Sequence, residues 1–223
     1  MKFTQRPPPF PRMEVFTGAL AVLVGGVVLT GWSLDIAVLK SVLPGWVAMT
    51  PNTAVAFILI GIVLLLSRAP PPTLSVESSP LRTNLSRLAG ALAGAIGVLS
   101  LAEYAFGWNP GFDQWLFAEP TGTIGTLHPG RMAPESAICF ALLAVALELI
   151  RRPRPSTRTR LAALTLAALV MSIAMIEMLS YLMPDLHSSG WVGLRTMVLP
   201  TAVVFGALGT ALVVIAGTER DGS

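Results

Sequence analysis

The sequence predicts an all-α integral membrane protein of six transmembrane helices, arranged as three repeated helical hairpins with both termini in the cytoplasm. Its composition, a recurring motif and the distribution of its charges predict this fold class. Of the 223 residues, 53% are hydrophobic and only 12% are charged, and the mean hydropathy is +0.71. Soluble domains carry about 25% charged residues, so this is the composition of a membrane protein.

One motif recurs at the start of every second apolar segment. Its copies are Met49-x-Pro51-x-Thr53-Ala54-x-x-Phe57, Met132-x-Pro134-x-Ser136-Ala137-x-x-Phe140 and, with the proline one place later, Met197-x-x-Pro200-Thr201-Ala202-x-x-Phe205. A pattern repeated along a chain indicates a repeated unit of structure, which here would be a pair of antiparallel helices. The sequence therefore predicts hairpins over about 15–67, 88–150 and 161–216.

Apolar runs of about 20 residues, the length that crosses a bilayer, define the predicted spans. These are 15–34, 51–67, 88–106, 133–150, 161–182 and 197–216, with a short interfacial helix over 36–43. Four prolines in residues 1–12 predict an extended segment that does not begin a helix, so 1–14 is assigned to a cytoplasmic N-terminal segment. The Pro-rich run 69–86 is predicted to be a loop, and 218–223 a cytoplasmic tail.

Basic residues orient the predicted bundle. With the N-terminus in the cytoplasm, twelve of the fifteen Lys and Arg residues fall on the cytoplasmic side, and the other three are Lys40, Arg131 and Arg195. The positive-inside rule therefore predicts an even number of spans with both termini in the cytoplasm. The membrane is expected to be of the bacterial inner-membrane type. Because the basic residues are confined to particular loops, membrane topology explains them better than nucleic-acid binding, and no nucleic-acid partner is predicted.

The aromatic residues show the opposite asymmetry. All five tryptophans and both tyrosines fall on the predicted outer side. One interpretation is an interfacial belt, in which amphipathic rings lie at the level of the lipid headgroups. The other is a packed aromatic cap or pocket built by the outer loops. The sequence leaves both interpretations open.

Three acidic residues lie within predicted spans near their outer ends. They are Glu103, Glu177 and Glu135, and the last lies in a first helical turn, where an acid favours the helix dipole. A charged group in the hydrocarbon region is costly, so Glu103 and Glu177 are candidates for a polar binding site, although an interhelical hydrogen bond would also explain each of them. Nearby outer residues complete the predicted ligand- or partner-binding set: Trp108, Asp113, Trp115, Arg131 and Trp191.

Small and hydroxylated residues are predicted to pack helices together. Gly90 and Gly94 form a small-x-x-x-small motif, which permits close approach of a helix from this protein or from another one. Thr53, Ser136 and Thr201 occupy the same motif position, one turn into the second helix of each hairpin. Each could bond its own helix backbone or reach across an interface.

Sequence signatures of catalysis are missing. The chain has no phosphate-binding Gly-rich loop, no Gly-x-Ser-x-Gly and no His-Glu-x-x-His, so no catalytic residue and no enzymatic activity are predicted. His128 and His187 match no metal-ligand spacing, and no metal site is predicted. No cofactor is predicted either, although the apolar helix faces leave room for bound lipid or pigment.

The long outer segment carries a family resemblance. Its residues are Tyr104-x-Phe106-Gly107-x-x-x-Gly111-x-Asp113-x-x-Leu116-Phe117, then Pro129-Gly130-Arg131-Met132-x-Pro134-x-Ser136-Ala137-x-x-Phe140-x-Leu142-Leu143. This pattern resembles the multi-spanning N-terminal membrane region of bacterial sensor histidine kinases and diguanylate cyclases. The resemblance covers about 104–149 and is weaker elsewhere. It implies a six-span input module with cytoplasmic termini.

The resemblance also shapes the expected function. Only six residues follow Gly217 in this sequence, so we expect the module to act through a partner rather than through an attached kinase or cyclase domain. The leading hypothesis is a non-catalytic module that interacts with other integral membrane proteins and with lipids. Two alternatives stay open: an accessory or structural subunit of a photosynthetic or respiratory complex, and a binder or transporter of a small molecule at the outer face.

Overall fold

The computed structural model describes residues 11–41, 47–67, 80–119, 128–152, 155–182 and 197–218 of the chain. These residues form helices and no strand, which confirms the all-α class. The α-helices are α1 (Pro11–Ser33), α2 (Ala37–Lys40), α3 (Pro51–Ser67), α4 (Pro80–Phe106), α5 (Pro134–Ile150), α6 (Thr157–Leu182) and α7 (Leu199–Thr218). A single turn of 3₁₀ helix, Phe112–Gln114, lies between α4 and α5.

Four of these helices are long and apolar enough to cross a membrane. They are α4 and α6 over their whole lengths, α1 from Met13, and α7 as far as Gly217. The helices α3 and α5 have 17 residues each, which is shorter than the roughly 20 residues that span a bilayer. The described part of the chain is therefore a helical protein of membrane type with four spanning candidates.

Several helix boundaries differ from the predicted ones, and proline explains two of the differences. The helix α1 begins at Pro11, so the expectation that 1–12 does not begin a helix is wrong. The helix α4 begins at Pro80, eight residues before the predicted start at 88 and within the predicted loop. A proline is tolerated at the first helical position, where its missing N–H has no intrahelical partner to lose. Hydropathy overlooked the start of α4 because its first two turns are polar.

Three phenylalanines meet where α3, α5 and α7 pack together. The ring centroids of Phe57 and Phe140 lie 5.0 Å apart, and Phe205 lies 4.8 Å from each of them. All three side chains are fully buried. Edge-on and tilted rings at these separations are a favourable aromatic arrangement. Because each phenylalanine ends one copy of the motif, the three motif-bearing helices form the centre of the bundle.

The other three long helices lie around this centre. The helix α1 contacts α3 and α7, α4 contacts α3 and α5, and α6 contacts α5 and α7. The consecutive pairs are α1–α3, α4–α5 and α6–α7, each with an outer helix first and an inner, motif-bearing helix second. The outer helix of each pair therefore also contacts the inner helix of another pair. This arrangement leaves one face of each outer helix uncovered by the other described helices.

Glycines on the outer helices permit the closest approaches. A Cβ atom on Gly97 would lie 2.6 Å from the carbonyl oxygen of Ala137, and one on Gly94 would lie 2.6 Å from Cβ of Ala144. Gly90 is looser, with its nearest neighbour, Cγ2 of Val63, at 3.7 Å. The predicted packing motif thus contacts α3 and α5 of the same chain.

The two ends of the bundle differ in chemistry. At one end, here named the arginine end, Arg151 donates a 2.8 Å hydrogen bond to the Ser86 hydroxyl, and Arg82 donates to the carbonyl oxygen of Leu66. These bonds join the C-terminal ends of α3 and α5 to the start of α4. At the other end, here named the aromatic end, lie Trp32, Tyr104 and Tyr181.

Candidate functional site

Aromatic side chains tie each outer helix to the inner helix that follows it. The bond is made at the aromatic end with a donor–acceptor distance of 2.9 Å each time, by Trp32 Nε1 to the carbonyl of Met49, by the Tyr104 hydroxyl to that of Met132, and by the Tyr181 hydroxyl to that of Met197. The accepting residue is always the methionine that begins the motif. These three aromatic residues therefore serve as structural links between helices.

The first turns of the three inner helices and the residues just before them surround a small cavity, here named the axial cavity. It leaves about 10 Å³ for the centre of a water-sized sphere, which is room for about one water molecule. Its lining includes four hydroxyl-bearing side chains from α3, α5, α7 and the residue just before α3: Thr50, Thr53, Ser136 and Thr201. The three predicted packing residues therefore meet at one place, although the motif alone gave no indication of a cavity.

The hydroxyl groups of the axial cavity differ in how they are satisfied. Those of Thr50 and Thr53 bond each other at 2.8 Å. The hydroxyl oxygen of Thr201 is buried and has no hydrogen-bond partner in the described structure, while the residue as a whole is only 1% exposed. A buried polar group without a partner is uncommon in folded proteins and calls for a physical explanation. Here it lies on the wall of a polar cavity.

A second polar feature, here named the Arg131 cluster, lies beside the aromatic end. Arg131 Nε is 3.0 Å from Oδ2 of Asp113 and 3.4 Å from Oε2 of Glu103, and the guanidinium also donates to the carbonyl of Trp108 at 3.2 Å. The guanidinium carbon lies 5.2 Å from the ring centroid of Tyr104, within range of a cation–π interaction. All three charged side chains are almost completely buried.

The backbone around the cluster explains how these residues meet. Glu103 lies in the last turn of α4, Asp113 lies in the 3₁₀ turn, and Arg131 directly follows Gly130. Gly130 has φ +77°, a left-handed conformation that favours glycine, and a Cβ there would collide with the backbone of Asp113. Glycine at 130 therefore lets the segment that leads into α5 lie directly against the 3₁₀ turn.

The Arg131 cluster also connects different helices. Asn52 of α3 donates a 3.4 Å hydrogen bond to Asp113, and the rings of Trp32 and Phe117 lie 6.0 Å apart. The segment after α4 is thus fastened to α1 and α3 as well as to its own helix. This segment contacts the first two consecutive helix pairs, so its position depends on both.

Carboxyl groups outnumber cations in this region. Glu119 is buried too, and its carboxylate accepts a hydrogen bond from the backbone N–H of Gly130. Glu103 Oε1 is buried and accepts no hydrogen bond from any residue that the structure describes. Among the described residues, however, no group of three or more His, Cys, Asp or Glu side chains is arranged to hold a metal ion.

The structure separates the other predicted site residues. Glu177 lies on α6 beside Glu135 of α5, which is its electrostatic neighbour, and is not part of the Arg131 cluster. Trp108 and Trp115 are 52% and 75% exposed, and both rings pack edge-on against Phe112. Trp191 lies outside the described residues.

Sequence reasoning missed the three aromatic hydrogen bonds. A signal for them exists, since a small residue that faces the partner helix precedes each aromatic donor by seven positions: Gly25 before Trp32, Gly97 before Tyr104 and Ala174 before Tyr181. The interval of two helical turns places both on one helix face. Glu119 was also missed, because nothing in its spacing indicates burial.

Comparison with protein-family models, curated proteins and solved structures found no match to this chain.

Proposed function

We propose that this protein is a six-span input module of the bacterial inner membrane that acts without catalysis, by contact with another integral membrane protein. The observation that carries the proposal is the uncovered apolar face of α6. Only 22% of an 18-residue apolar stretch of α6 is buried within the protein, against 50% of the corresponding stretch of α7. Leu169, Ile176 and Leu179 are among its exposed large side chains.

Six spans require α3 and α5 to cross with 17 residues each. Both lie at the centre of the bundle, so the longer outer helices shield much of their length from lipid. The polar ends of a short central helix can still reach water on both sides of the membrane, because the surrounding helices present the apolar surface to the lipid. The arginines at one end and the aromatic rings at the other support an orientation with the arginine end in the cytoplasm.

The Arg131 cluster supports an input role at the opposite end. It fastens the segment after α4 to both α3 and α4 through buried charges. A ligand or partner that displaced this segment would change the packing of two helix pairs together, because buried ion pairs have few alternative arrangements. Transmission would then run along helices to the arginine end.

Cysteine labelling tests the proposed topology. Cys139 is buried, and its replacement by alanine provides a background into which single cysteines are introduced at the exposed positions Asp35 and Ser156. A membrane-impermeant maleimide is expected to label Asp35→Cys in intact cells and Ser156→Cys only after permeabilisation. Equal labelling of both in intact cells would contradict the six-span orientation.

Site-specific photo-crosslinking tests the proposed interaction. A photoreactive amino acid at Ile176 is expected to give one discrete crosslinked protein, whereas the same probe at the comparably exposed Leu23 of α1 gives none. Absence of a discrete product at Ile176, Leu169 and Leu179 would overturn the proposal. A product that co-purifies at constant stoichiometry with a large complex would instead favour an accessory subunit.

A further inference from the structure

The three helix N-termini around the axial cavity create a positive electrostatic environment there. The helices α3, α5 and α7 begin at Pro51, Pro134 and Leu199, and the lining residues lie in their first turns or within three residues before them. A helix N-terminus behaves like about half a positive charge, because its first N–H groups have no acceptor within the helix. Three such ends meeting at one cavity favour a negative occupant and disfavour a cation.

The hydroxyl groups of the lining supply hydrogen-bond donors. The Thr201 hydroxyl is buried and unpartnered, so its proton has no acceptor in the described structure. In the Thr50–Thr53 pair, either hydroxyl can be the donor, and the other one keeps a proton that the pair does not use. Ser136 contributes a hydroxyl from the third helix. A hydroxyl can donate one hydrogen bond, and an anion accepts several at once.

The size of the axial cavity and the charge of its lining limit which ligands it can hold. The cavity accommodates about one water-sized sphere, which is too small for phosphate, sulfate or a carboxylate-bearing metabolite. Among the described residues, none that lines the cavity carries a formal charge, so no side-chain carboxylate lies in the cavity itself. Glu135 lies in the first turn of α5 but is not part of the lining.

We propose that the axial cavity binds a single monoatomic anion, chloride or another halide, held by the Thr201, Ser136 and Thr50–Thr53 hydroxyls at the N-terminal ends of α3, α5 and α7. The bound halide joins all three motif-bearing helices at the aromatic end. The site does not depend on a partner at the face of α6. Failure of the crosslinking experiment would therefore leave it standing, and its own failure would leave the proposed interaction untouched.

Thermal unfolding of the full-length protein in detergent tests the site. Unfolding is measured in potassium chloride, potassium bromide and potassium gluconate at equal ionic strength. Chloride and bromide are expected to raise the unfolding temperature relative to gluconate, because a ligand that binds only the folded state stabilises it. Equal unfolding temperatures in all three salts would overturn the proposal and leave a water molecule as the occupant.

A matched pair of variants locates the effect. Thr201→Val removes the unpartnered hydroxyl while keeping the side-chain shape, and Thr210→Val removes an exposed hydroxyl of the same helix that bonds its own backbone at 2.7 Å. A hydrogen bond to a charged ligand is strong, so Thr201→Val is expected to weaken chloride affinity about tenfold or more. Thr210→Val is expected to bind chloride as the wild type does. Equal chloride responses in the two variants would contradict the assignment.

Direct detection of the bound anion tests the proposal even if Thr201→Val does not fold. Crystals of the wild-type protein grown in bromide are expected to show an anomalous-scattering peak in the axial cavity, between Thr53, Ser136 and Thr201. Ser136→Ala serves as the second variant and is expected to weaken the peak. A bromide peak elsewhere, with none in the cavity, would refute the proposed site.

Discussion

The hydroxyl of Tyr104 donates a 2.9 Å hydrogen bond to the carbonyl oxygen of Met132, across the whole Gly- and Trp-rich segment that separates α4 from α5. The bond joins the last turns of an outer helix to the residue that begins a motif. Tyr181 and Met197 make the same bond in the last helix pair, although a quite different segment connects those helices. The link therefore belongs to the helix pair and not to the connecting segment.

Removal of this hydroxyl should weaken the α4–α5 pair. Tyr104→Phe keeps the ring and its contact with Arg131 but loses the hydrogen bond. We expect the free energy of unfolding to fall by about 0.6–1 kcal/mol, the usual range for one hydrogen bond between membrane helices. Chemical unfolding in detergent measures it. Ser33→Ala, which removes an exposed hydroxyl bonded to its own helix, is the control, and an equal loss there would contradict the interpretation.

Replacement of Arg131 by methionine should destabilise the protein strongly. Glu103 and Asp113 would remain buried without their cation, and breaking a buried ion pair in this way costs about 3–5 kcal/mol. Thermal unfolding of Arg131→Met measures the loss, with Arg152→Met at an exposed arginine as the control.

A triple variant separates charge from packing in the same cluster. Combining Arg131→Met with Glu103→Gln and Asp113→Asn removes the uncompensated charges along with their partner. We expect it to recover part of the stability lost in Arg131→Met, because no buried charge is left unpaired. A triple variant less stable than Arg131→Met would show that the role of the carboxyl groups does not depend on the arginine.

Truncation of a central ring should open a cavity between the inner helices. Phe140 is fully buried against Phe57 and Phe205. We expect Phe140→Ala to lower the free energy of unfolding by about 3 kcal/mol, the lower end of the range for such truncations. The value is low because lipid solvates apolar side chains in the unfolded state, so the loss comes mainly from the packing contacts. Phe106→Ala, at an 81% exposed position, is the control. Equal stability losses for the two variants would contradict the central packing role of Phe140.

Adjacent glycines on α1 offer a sharp test of helix packing. A Cβ on Gly25 would lie 2.5 Å from the carbonyl oxygen of Ala54, whereas one on Gly26 would meet nothing within 4 Å. Gly25→Ala should therefore separate α1 from α3 and lower the unfolding temperature. Gly26→Ala should be neutral or stabilising by up to about 1 kcal/mol, because alanine favours helix. Similar responses from both variants would contradict the close approach at Gly25.

Much of the bundle centre was predictable because the motif marks it directly. The phenylalanine that ends each copy is buried, and so are the methionine that begins it and the hydroxyl residue between them. Periodicity identifies such positions from local pattern alone. The start of α4 was not predictable from hydropathy, since Pro80 opens the helix with polar turns that resemble a loop.

The candidate sites were predictable only as separate residues. Glu103, Asp113 and Arg131 were each selected, but Glu177 was grouped with them although it lies beside Glu135 on another pair of helices. Sequence position relative to the membrane gives the depth of a residue and not its direction around the bundle. Residues of equal depth can therefore face different neighbours.

Composition and local periodicity were enough to predict the helical class, the apolar character of the long helices and the recurrence of the motif, because both act within a few turns of helix. Helix packing sets which motif copies meet, how Arg131 joins α4 to the segment before α5, and that Thr53, Ser136 and Thr201 share one cavity. Those relationships join residues that lie many turns apart along the chain. They depend on the order in which helices pack around the centre, and no local pattern encodes that order.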